Sequence, residues 1–168
     1  MRCKTNALLE INHSWAQRDY VDWKYQKLQR LISTPPKSRK GNGSRIAYRF
    51  TTRSVPELTE LYHWFYREGK KRVPNDIKLE PLSLAIWVMD DGSKSYRAMY
   101  LNTQQFKLEE QNLLLEKLNE TFSIRGTLNK DKHYARIRIS VESVLQLHMI
   151  VKPYILPMFD YKFPLMTP

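Results

Sequence analysis

The spacing of hydrophobic residues in the first part of the chain predicts a strand followed by a helix. The segment Ala7–Ile11 is apolar enough for a short strand. Apolar residues then recur at helical intervals from Val21 to Ile32, and Pro35 with Pro36 ends this predicted helix. The basic segment 37–43 contains two glycines and is predicted to form a mobile loop or the end of a hairpin.

The spacing then changes to an alternation with period two, which predicts a strand over residues 45–53. Basic and small residues share one face of this strand, and apolar residues share the other. The first set is Arg45, Ala47, Arg49, Thr51 and Arg53, and the second is Ile46, Tyr48 and Phe50. A second helix is predicted next, with Leu58, Leu61, Tyr62 and Phe65 on its buried face.

The second half of the chain repeats this order. A strand is predicted over Met99–Thr103, a helix over Leu108–Phe122 and a basic turn over 129–132. An offset of 91 residues (104 − 13) brings the halves into register and pairs, for example, Lys71 with Lys162. The last two elements are a strand with Arg136 and Arg138 opposite Ala135, Ile137 and Ile139, and a helix marked by Val144, Leu147 and Val151.

Positive charge is concentrated in the first half. Residues 1–80 carry 17 Lys+Arg and 8 Asp+Glu, which gives +9 of the chain's formal net charge of +11. A basic surface of this kind indicates a polyanionic partner, and a merely solubilising surface is the alternative. No membrane partner is predicted, because the basic residues do not lie opposite an apolar face on one helix.

Targeting signals and disulfides are not expected. No apolar run approaches the ~18 residues of a membrane span, and the N-terminus lacks the apolar core of a signal peptide. The single cysteine, Cys3, cannot form an intramolecular disulfide and favours a reducing compartment. An intracellular location is therefore predicted, with no choice between the cytoplasm and an organelle.

The segment Pro81–Ser93 carries the candidate chemistry. Pro81 suits the first turn of a helix, Gly92 suits its exit, and the residues between them are almost wholly apolar until Asp90 and Asp91. Two carboxylates at the C-terminus of a helix oppose its dipole, so a compensating cation is expected. A divalent metal with oxygen ligands is the candidate, and an exposed Asp-Asp-Gly turn is the alternative.

These residues resemble the signature helix of the LAGLIDADG homing endonucleases and intron maturases. The likeness is to the branch whose motif reads Leu-Ala-x-Trp-x-Met-Asp-Asp-Gly. Four flanking segments also resemble the family, in its order: Lys70–Asn75, Leu101–Gln104, Lys152–Pro157 and Tyr161–Pro164. The resemblance therefore covers nearly the whole chain.

The resemblance implies αββαββα repeats whose saddle-shaped antiparallel sheets lie in the major groove of double-stranded DNA. Two signature helices pack side by side, and each delivers its penultimate Asp to a Mg²⁺ site beside the scissile phosphates. Here this residue is Asp91, followed by Gly92. Lys71 and Lys162 match the family's catalytic lysines. Some members instead help group I intron RNA to splice, so structured RNA is the alternative partner.

Candidate nucleic-acid contacts fall into two groups. Arginines on the alternating strands suit base contacts in the major groove, although a solvated strand face is the alternative for each. Basic residues on the predicted turns suit phosphate contacts. The candidates are Arg45, Arg49, Arg53, Arg136 and Arg138 on strands, Lys37, Arg39, Lys40, Lys130 and Lys132 on turns, and Lys94 and Gln104 after the signature helix.

The offset that aligns the halves places the first signature helix upstream of Met1. We therefore predict an incomplete first repeat over residues 1–80 and a complete second repeat over 81–168. Three interpretations are open. The chain is a fragment whose partner helix lies in further residues, a homodimer that pairs through the helix at 81–92, or a protein that binds DNA or RNA without cutting it.

Overall fold

The computed structural model of the protein describes residues 1–41, 43–131 and 134–164. The chain forms two compact units, one over residues 1–70 and one from Lys71 onward. Each unit combines α-helices with antiparallel strands, which confirms the predicted α+β class. The predicted sequence repeats, 1–80 and 81–168, are a different division from these two units. The duplication of the sequence stays a prediction.

The first unit is built around a three-stranded antiparallel sheet. Its main sheet has the order β3-β5-β4, and β1 pairs separately with β2. Two short 3-10 helices, Trp15–Gln17 and Gln29–Leu31, flank α1. The elements are β1 (Arg2–Cys3), β2 (Ala7–Leu8), β3 (Glu10–Ser14), α1 (Arg18–Lys27), β4 (Lys37–Lys40), β5 (Ile46–Thr51), α2 (Pro56–Phe65) and β6 (Tyr66–Arg67), and β7 (Lys70–Lys71) lies at the boundary.

One face of the first unit's sheet packs against α1. The Tyr48 hydroxyl donates to the Asp22 carboxylate at 3.1 Å, and the Phe50 ring meets the Tyr25 ring edge-on. Since successive side chains of a strand point to opposite faces, Ala47, Arg49 and Thr51 lie on the face away from α1. The alternation predicted for residues 47–51 is therefore confirmed.

The second unit has the element order αββαββα. Its four-stranded antiparallel sheet has the order β10-β11-β9-β8, which matches the succession β4-β5-β3 in the first unit. A 3-10 helix, Pro157–Lys162, follows the last helix. The elements are α3 (Pro81–Asp91), β8 (Gly92–Ser95), β9 (Ala98–Leu101), α4 (Leu108–Phe122), β10 (Gly126–Asp131), β11 (Tyr134–Ile139) and α5 (Val141–Val151).

The core of the second unit lies between its sheet and its helices. Ile137 and Ile139 of β11 are fully buried, together with Met99 and Leu101 of β9. The helices contribute fully buried residues to the same cluster, among them Leu84 and Val88 from α3, Leu118 from α4, and Leu147 and Val151 from α5. Helix α4 has the bounds that the sequence predicts. It begins where the Lys107 amide donates to the Glu110 carboxylate, and it ends at Ser123 in a left-handed conformation.

Several expectations about elements are wrong. The segment 37–43 was predicted as a mobile loop or the end of a hairpin, and it contains strand β4, which forms a hairpin with β5, so only the loop alternative is wrong. The predicted turn at 129–132 begins within strand β10, and strand β8 was not predicted. All three strands lie at sheet edges. Edge strands face solvent on more sides than central strands, so their sequences lack the hydrophobic alternation that marks β5 and β11.

The predicted helices also need two corrections. Helix α1 ends at Lys27 and gives way to a 3-10 turn, so it is shorter than the apolar spacing suggested. Leu61 was predicted on the buried face of α2 but is 42% exposed. Leu58, Tyr62 and Phe65 are spaced i, i+4 and i+7 and define the inward stripe, which leaves Leu61 at its edge. Among the described residues, no helix has the length and apolarity to cross a membrane.

Candidate nucleic-acid interface and acidic site

Helix α3 brings Asp91 to the edge of the second unit's core. It begins at Pro81, where the Glu80 amide donates to the Ser83 hydroxyl at 2.9 Å. Leu84, Ala85, Val88 and Met89 are fully buried, so packing fixes the helix along most of its length. Asp90 is exposed and Asp91 is partly buried at the last turn. The helix therefore presents its carboxylates from a rigid support.

Gly92 is required here by a close backbone approach. Its φ is −74°, so the left-handed conformation that often ends helices is not involved. A Cβ atom at this position would lie 2.4 Å from the Val88 carbonyl oxygen, which is a severe clash with backbone. Glycine thus allows the chain to leave α3 and enter β8 directly behind the helix end.

Lys162 caps the C-terminus of α3. Its side chain is only 6% exposed, and its ammonium donates to the carbonyl oxygens of Val88 at 3.1 Å, Met89 at 2.5 Å and Asp90 at 3.3 Å. An ammonium has three N–H donors, and these three carbonyls use them all. The Val88 carbonyl also accepts from the Gly92 amide. Carbonyls at a helix end have no partner within the helix, so Lys162 supplies a donor to those of Met89 and Asp90.

The charge of Lys162 also balances the acidic pair. Burial lowers the pKa of the ammonium, and the nearby carboxylates of Asp90 and Asp91 oppose that shift. The sequence predicted that a cation would compensate the two carboxylates, with a metal as candidate, and Lys162 supplies such a cation from within the chain. No local sequence pattern could have revealed this contact, because Lys162 lies 71 positions after Asp91 (162 − 91).

The segment after β9 holds the end of α3 from the other side. The backbone amide of Asn102 and its side-chain amide both donate to the Asp91 carbonyl oxygen, at 3.1 and 2.9 Å. Gln104 makes a long 3.5 Å contact with the Asn102 side chain. Lys71 is exposed on β7, with its ammonium 5.9 Å from the centre of the Phe106 ring. The structure therefore groups Gln104 and Lys162 around the end of α3, and places Lys71 beside Phe106.

The oxygen donors at the end of α3 suit part of a Mg²⁺ site. In the parts of the chain that the structure describes, no group of three His, Cys, Asp or Glu side chains could hold a metal ion. Mg²⁺ usually binds one or two carboxylates and completes its shell with water and substrate phosphates. The Asp91 carboxylate and the Gly92 carbonyl are hard oxygen ligands of that kind. They fit an ion that the nucleic acid helps to hold.

The second unit presents a polar sheet face away from its core. Arg136 and Arg138 alternate with buried Ile137 and Ile139, as the sequence predicts. Arg138 pairs with Tyr100, and Arg136 pairs with Asn129, so these four side chains share one face. The Arg136 guanidinium lies 4.0 Å from the centre of the Tyr100 ring, whose hydroxyl accepts a 3.0 Å hydrogen bond from Asn129. These contacts limit the freedom of Arg136.

Tyr100 and Asn129 are additions to the candidates found in the sequence. Neither is basic, and Asn129 was predicted to lie in a turn. Only the strand register shows that they flank the arginines. Thr127 lies on the same face, since it pairs with Arg138.

The first unit presents a comparable face on β4 and β5. Arg49 pairs with Lys37, and Ala47 pairs with Arg39, so all four lie on the face away from α1. Arg49 is also held by the Glu10 carboxylate at 3.0 Å, and Glu10 accepts a second ion pair from Arg2 at 3.1 Å. Ion pairing to Glu10 holds the Arg49 guanidinium in place on this face.

Arg45 and Arg53 were predicted on the same strand but lie outside it, because β5 spans only Ile46–Thr51. The Arg45 carbonyl accepts a 2.7 Å hydrogen bond from the Gly41 amide and closes the turn between β4 and β5. The Arg53 guanidinium donates to the Arg30 carbonyl at 2.7 Å. A chain-internal hydrogen bond thus already engages Arg53.

The predicted turn lysines need a different assignment. Lys37, Arg39, Lys40 and Lys130 lie on strands, not on turns. Lys40 pairs with Ile46 and Lys130 pairs with Ala135, so both point to the helix side of their sheets, although each is exposed at an edge. Lys94 pairs with Met99 and has the same orientation on edge strand β8. Lys132 lies outside the described residues.

Comparison with known proteins identifies the family. Residues 2–147 match the LAGLIDADG DNA endonuclease family. This match covers most of the chain, and the chain belongs to this family. The αββαββα order of the second unit and the acidic end of α3 agree with the resemblance seen in the sequence.

Two relatives show the range of the family around this chain. The cytochrome b mRNA maturase bI2 of Debaryomyces hansenii is 35% identical over 92% of the chain and 58% of its own length. A probable intron-encoded endonuclease of Wickerhamomyces canadensis is 27% identical over 96% of the chain and 76% of its own length. The chain thus spans little more than half of the maturase.

Solved structures confirm the predicted LAGLIDADG-type fold. The structure of the homing endonuclease I-WcaI bound to its DNA recognition sequence matches with a TM-score of 0.86 and 25% sequence identity. The match covers 99% of this chain and 80% of the I-WcaI chain. Full-length DUF199/WhiA matches 90% of this chain and 50% of its own with a TM-score of 0.54 and 14% identity, which is a likeness of fold alone.

Proposed function

We propose that this chain binds double-stranded DNA through the polar faces of its sheets and contributes one acidic site to Mg²⁺-dependent hydrolysis of a phosphodiester bond. The observation that carries the proposal is the position of Asp91, partly exposed at the end of a buried helix whose last carbonyls are bonded to Lys162. The homing endonuclease I-WcaI, which has the same fold, was solved bound to its DNA recognition sequence.

The chemistry divides among residues with different surroundings. A bound Mg²⁺ would lower the pKa of a water molecule and offset negative charge on the phosphate. Asp91 and the Gly92 carbonyl would hold it. Lys162 keeps the end of α3 in place, because its three donors are used by backbone carbonyls. Lys71 is exposed and has an ammonium that can neutralise charge developing on a phosphate oxygen.

One signature helix supplies one such site, whereas cleavage of both DNA strands requires two. The second acidic residue would come from a further segment of a longer protein or from a second copy of this chain paired through the helix at 81–92. A mass measurement in solution, made with and without target duplex, separates these cases. A monomer of this chain is expected to nick one strand only.

Structured intron RNA is the alternative partner, and the relative named as a cytochrome b mRNA maturase favours it. The basic faces and the exposed lysines suit either nucleic acid, because both present phosphates. Under this alternative the chain binds RNA without cutting DNA. Competition between a DNA duplex library and a folded intron transcript, at one fixed salt concentration, decides between the partners.

The test of the acidic site compares two neighbouring carboxylates. Asp91→Asn should abolish Mg²⁺-dependent cleavage in a duplex library while binding is kept or strengthened, because a negative charge beside the phosphates is removed. Asp90→Asn is the matched control, since Asp90 is exposed at the same helix end, and it should retain most of the cleavage. Equal losses in both variants would count against Asp91 as the metal ligand.

A further inference from the structure

The hairpin between β8 and β9 holds a tyrosine in an unfavourable conformation. Ser95 pairs with Ala98, so Tyr96 and Arg97 form a two-residue loop. Such loops need positive φ angles, which Gly, Asn and Asp normally supply. Tyr96 has a φ of +46°, and a bulky side chain in that region is a genuine outlier. Position 96 therefore holds a residue poorly suited to its turn.

Packing does not offset this cost. Tyr96 is 92% exposed, so its ring gains little from burial. The other described non-glycine residues with positive φ are Glu68, which precedes Gly69, and Ser123, which ends α4. Both are polar residues at ordinary turn or helix-end positions. Tyr96 differs from them because a large aromatic ring stands in solvent on a strained backbone, which indicates a role other than stability.

The surroundings of Tyr96 are basic. Lys94 and Arg97 are both exposed, and residues 92–101 include no Asp or Glu. An exposed aromatic ring beside cationic side chains is the combination that proteins use to stack on a nucleobase while they bind the adjoining phosphates. An exposed tyrosine on a tight hairpin also has less freedom to lose on binding than one on a long loop.

We propose that Tyr96 stacks on a nucleobase not covered by a neighbouring base, as in a bulge, a loop or a locally opened duplex, while Lys94 and Arg97 contact the adjacent phosphates. This inference rests on the proposed nucleic-acid-binding function. It adds recognition of an unstacked base, which the sheet faces do not provide. In a continuous duplex the base faces are hidden within the stack, and the ring has nothing to cover.

The length of β8 also limits how far this base can lie from Asp91. Strand β8 starts directly after Asp91, and Tyr96 is five positions further along (96 − 91). At roughly 3.3 Å per residue of extended chain, Tyr96 lies no more than about 17 Å from Asp91. At about 3.4 Å per nucleotide along a strand, the proposed stacked base is then within about five nucleotides of a phosphate at Asp91.

Binding of three probes tests the proposal with the full chain. The probes are a continuous DNA duplex, the same duplex with one bulged 2-aminopurine, and an RNA duplex with the same bulge. Tyr96→Phe keeps the aromatic ring, and Tyr96→Asn removes the ring and suits the positive φ. Tyr154→Asn is the matched control, because Tyr154 is also an exposed tyrosine, at 39%, but lies on the segment after α5 and not on the hairpin.

The wild-type chain and Tyr96→Phe should bind a bulged probe more tightly than the continuous duplex and quench its 2-aminopurine fluorescence. Tyr96→Asn should bind the bulged probe about tenfold more weakly than the wild type does, and it should bind the continuous duplex equally well. The melting temperature of this variant protein should equal or exceed that of the wild type. If Tyr96→Asn loses affinity for the bulged RNA, Tyr96 stacks on a base of structured RNA. If it loses affinity for the bulged DNA, Tyr96 stacks on a base of locally opened DNA.

Three outcomes overturn the stacking role. They are unchanged binding of a bulged probe by Tyr96→Asn, an equal loss on the continuous duplex, and an equal loss in Tyr154→Asn. Failure of the wild-type chain to bind any probe is a different result, because it overturns the proposed nucleic-acid function itself. Binding of the continuous duplex with no gain from the bulge leaves that function intact and refutes the role of Tyr96.

Discussion

The ammonium of Lys162 lies 3.1 Å from the carbonyl oxygen of Val88. This hydrogen bond joins the 3-10 helix Pro157–Lys162 to the end of α3. Two further carbonyls of α3 accept from the same group. A lysine that resembles a catalytic residue in the sequence therefore acts, in this structure, on the helix that carries Asp91. We therefore propose that Lys162 is a positioning residue.

Lys162→Met should destabilise the fold by about 1–3 kcal/mol, because it removes the donor from the helix-end carbonyls of Met89 and Asp90. Cleavage should fall with it, since Asp91 is no longer held in place. Thermal unfolding measures the first effect. Lys152→Met, on an exposed lysine at the end of α5, is the control and should change stability by less than about 0.5 kcal/mol. If Lys162→Met kept full stability but lost cleavage, the lysine would be acting on the reaction directly.

Gly92→Ala should destabilise the protein by about 1–3 kcal/mol, because the new methyl group overlaps the Val88 carbonyl and the backbone must move. Gly69→Ala provides the comparison. Gly69 has a φ of +73° with open space around its Cβ position, so its cost comes from backbone conformation alone. Denaturant unfolding of both variants should give the larger loss at Gly92, and only that variant should also impair Mg²⁺-dependent cleavage.

The sequence predicted the parts of the fold in which burial leaves a pattern. Helix α4 and the two faces of β11 follow directly from apolar spacing, because each has one side in the core. Edge strands β4, β8 and β10 left no such pattern. Lys37 and Arg39 were consequently placed on a turn, although register puts them on the same face as Arg49.

The candidate site was predictable where the motif is local and not where it depends on tertiary contacts. Asp91 and Gly92 belong to one contiguous segment, so a resemblance could identify them. The bond from Lys162 to the helix end joins residues 74 positions apart, and the contact of Arg136 with Tyr100 depends on strand order. Neither relationship exists in the sequence until the chain has folded.

Tyr100 should orient the Arg136 guanidinium for contact with a base. Tyr100→Leu removes the ring beneath the guanidinium and should weaken binding of the preferred sequence by about 0.5–2 kcal/mol. Tyr100→Phe keeps the ring and loses only the hydroxyl that accepts from Asn129, so its effect should be smaller. Arg136→Ala should cost about 1–3 kcal/mol at one position of the site and relax specificity there. If Tyr100→Leu lowered affinity for all sequences alike, the ring would not be orienting a base-reading arginine.

Arg39 and Lys40 are neighbours on one strand, and their side chains point to opposite faces of the sheet. Substitution of each residue should therefore reduce nucleic-acid binding in a different way. Arg39 shares the polar face with Arg49 and Lys37, whereas Lys40 points to the helix side at the exposed edge. Arg39→Ala should therefore reduce affinity most for the preferred sequence. Lys40→Ala should weaken all sequences equally and reduce the slope of log affinity against log salt by about one. Binding of matched and scrambled duplexes over a salt series measures both effects. The sequence predicted phosphate contacts for both residues, and a loss in Arg39→Ala that is equal for all sequences would restore that interpretation and argue against base contacts by β4.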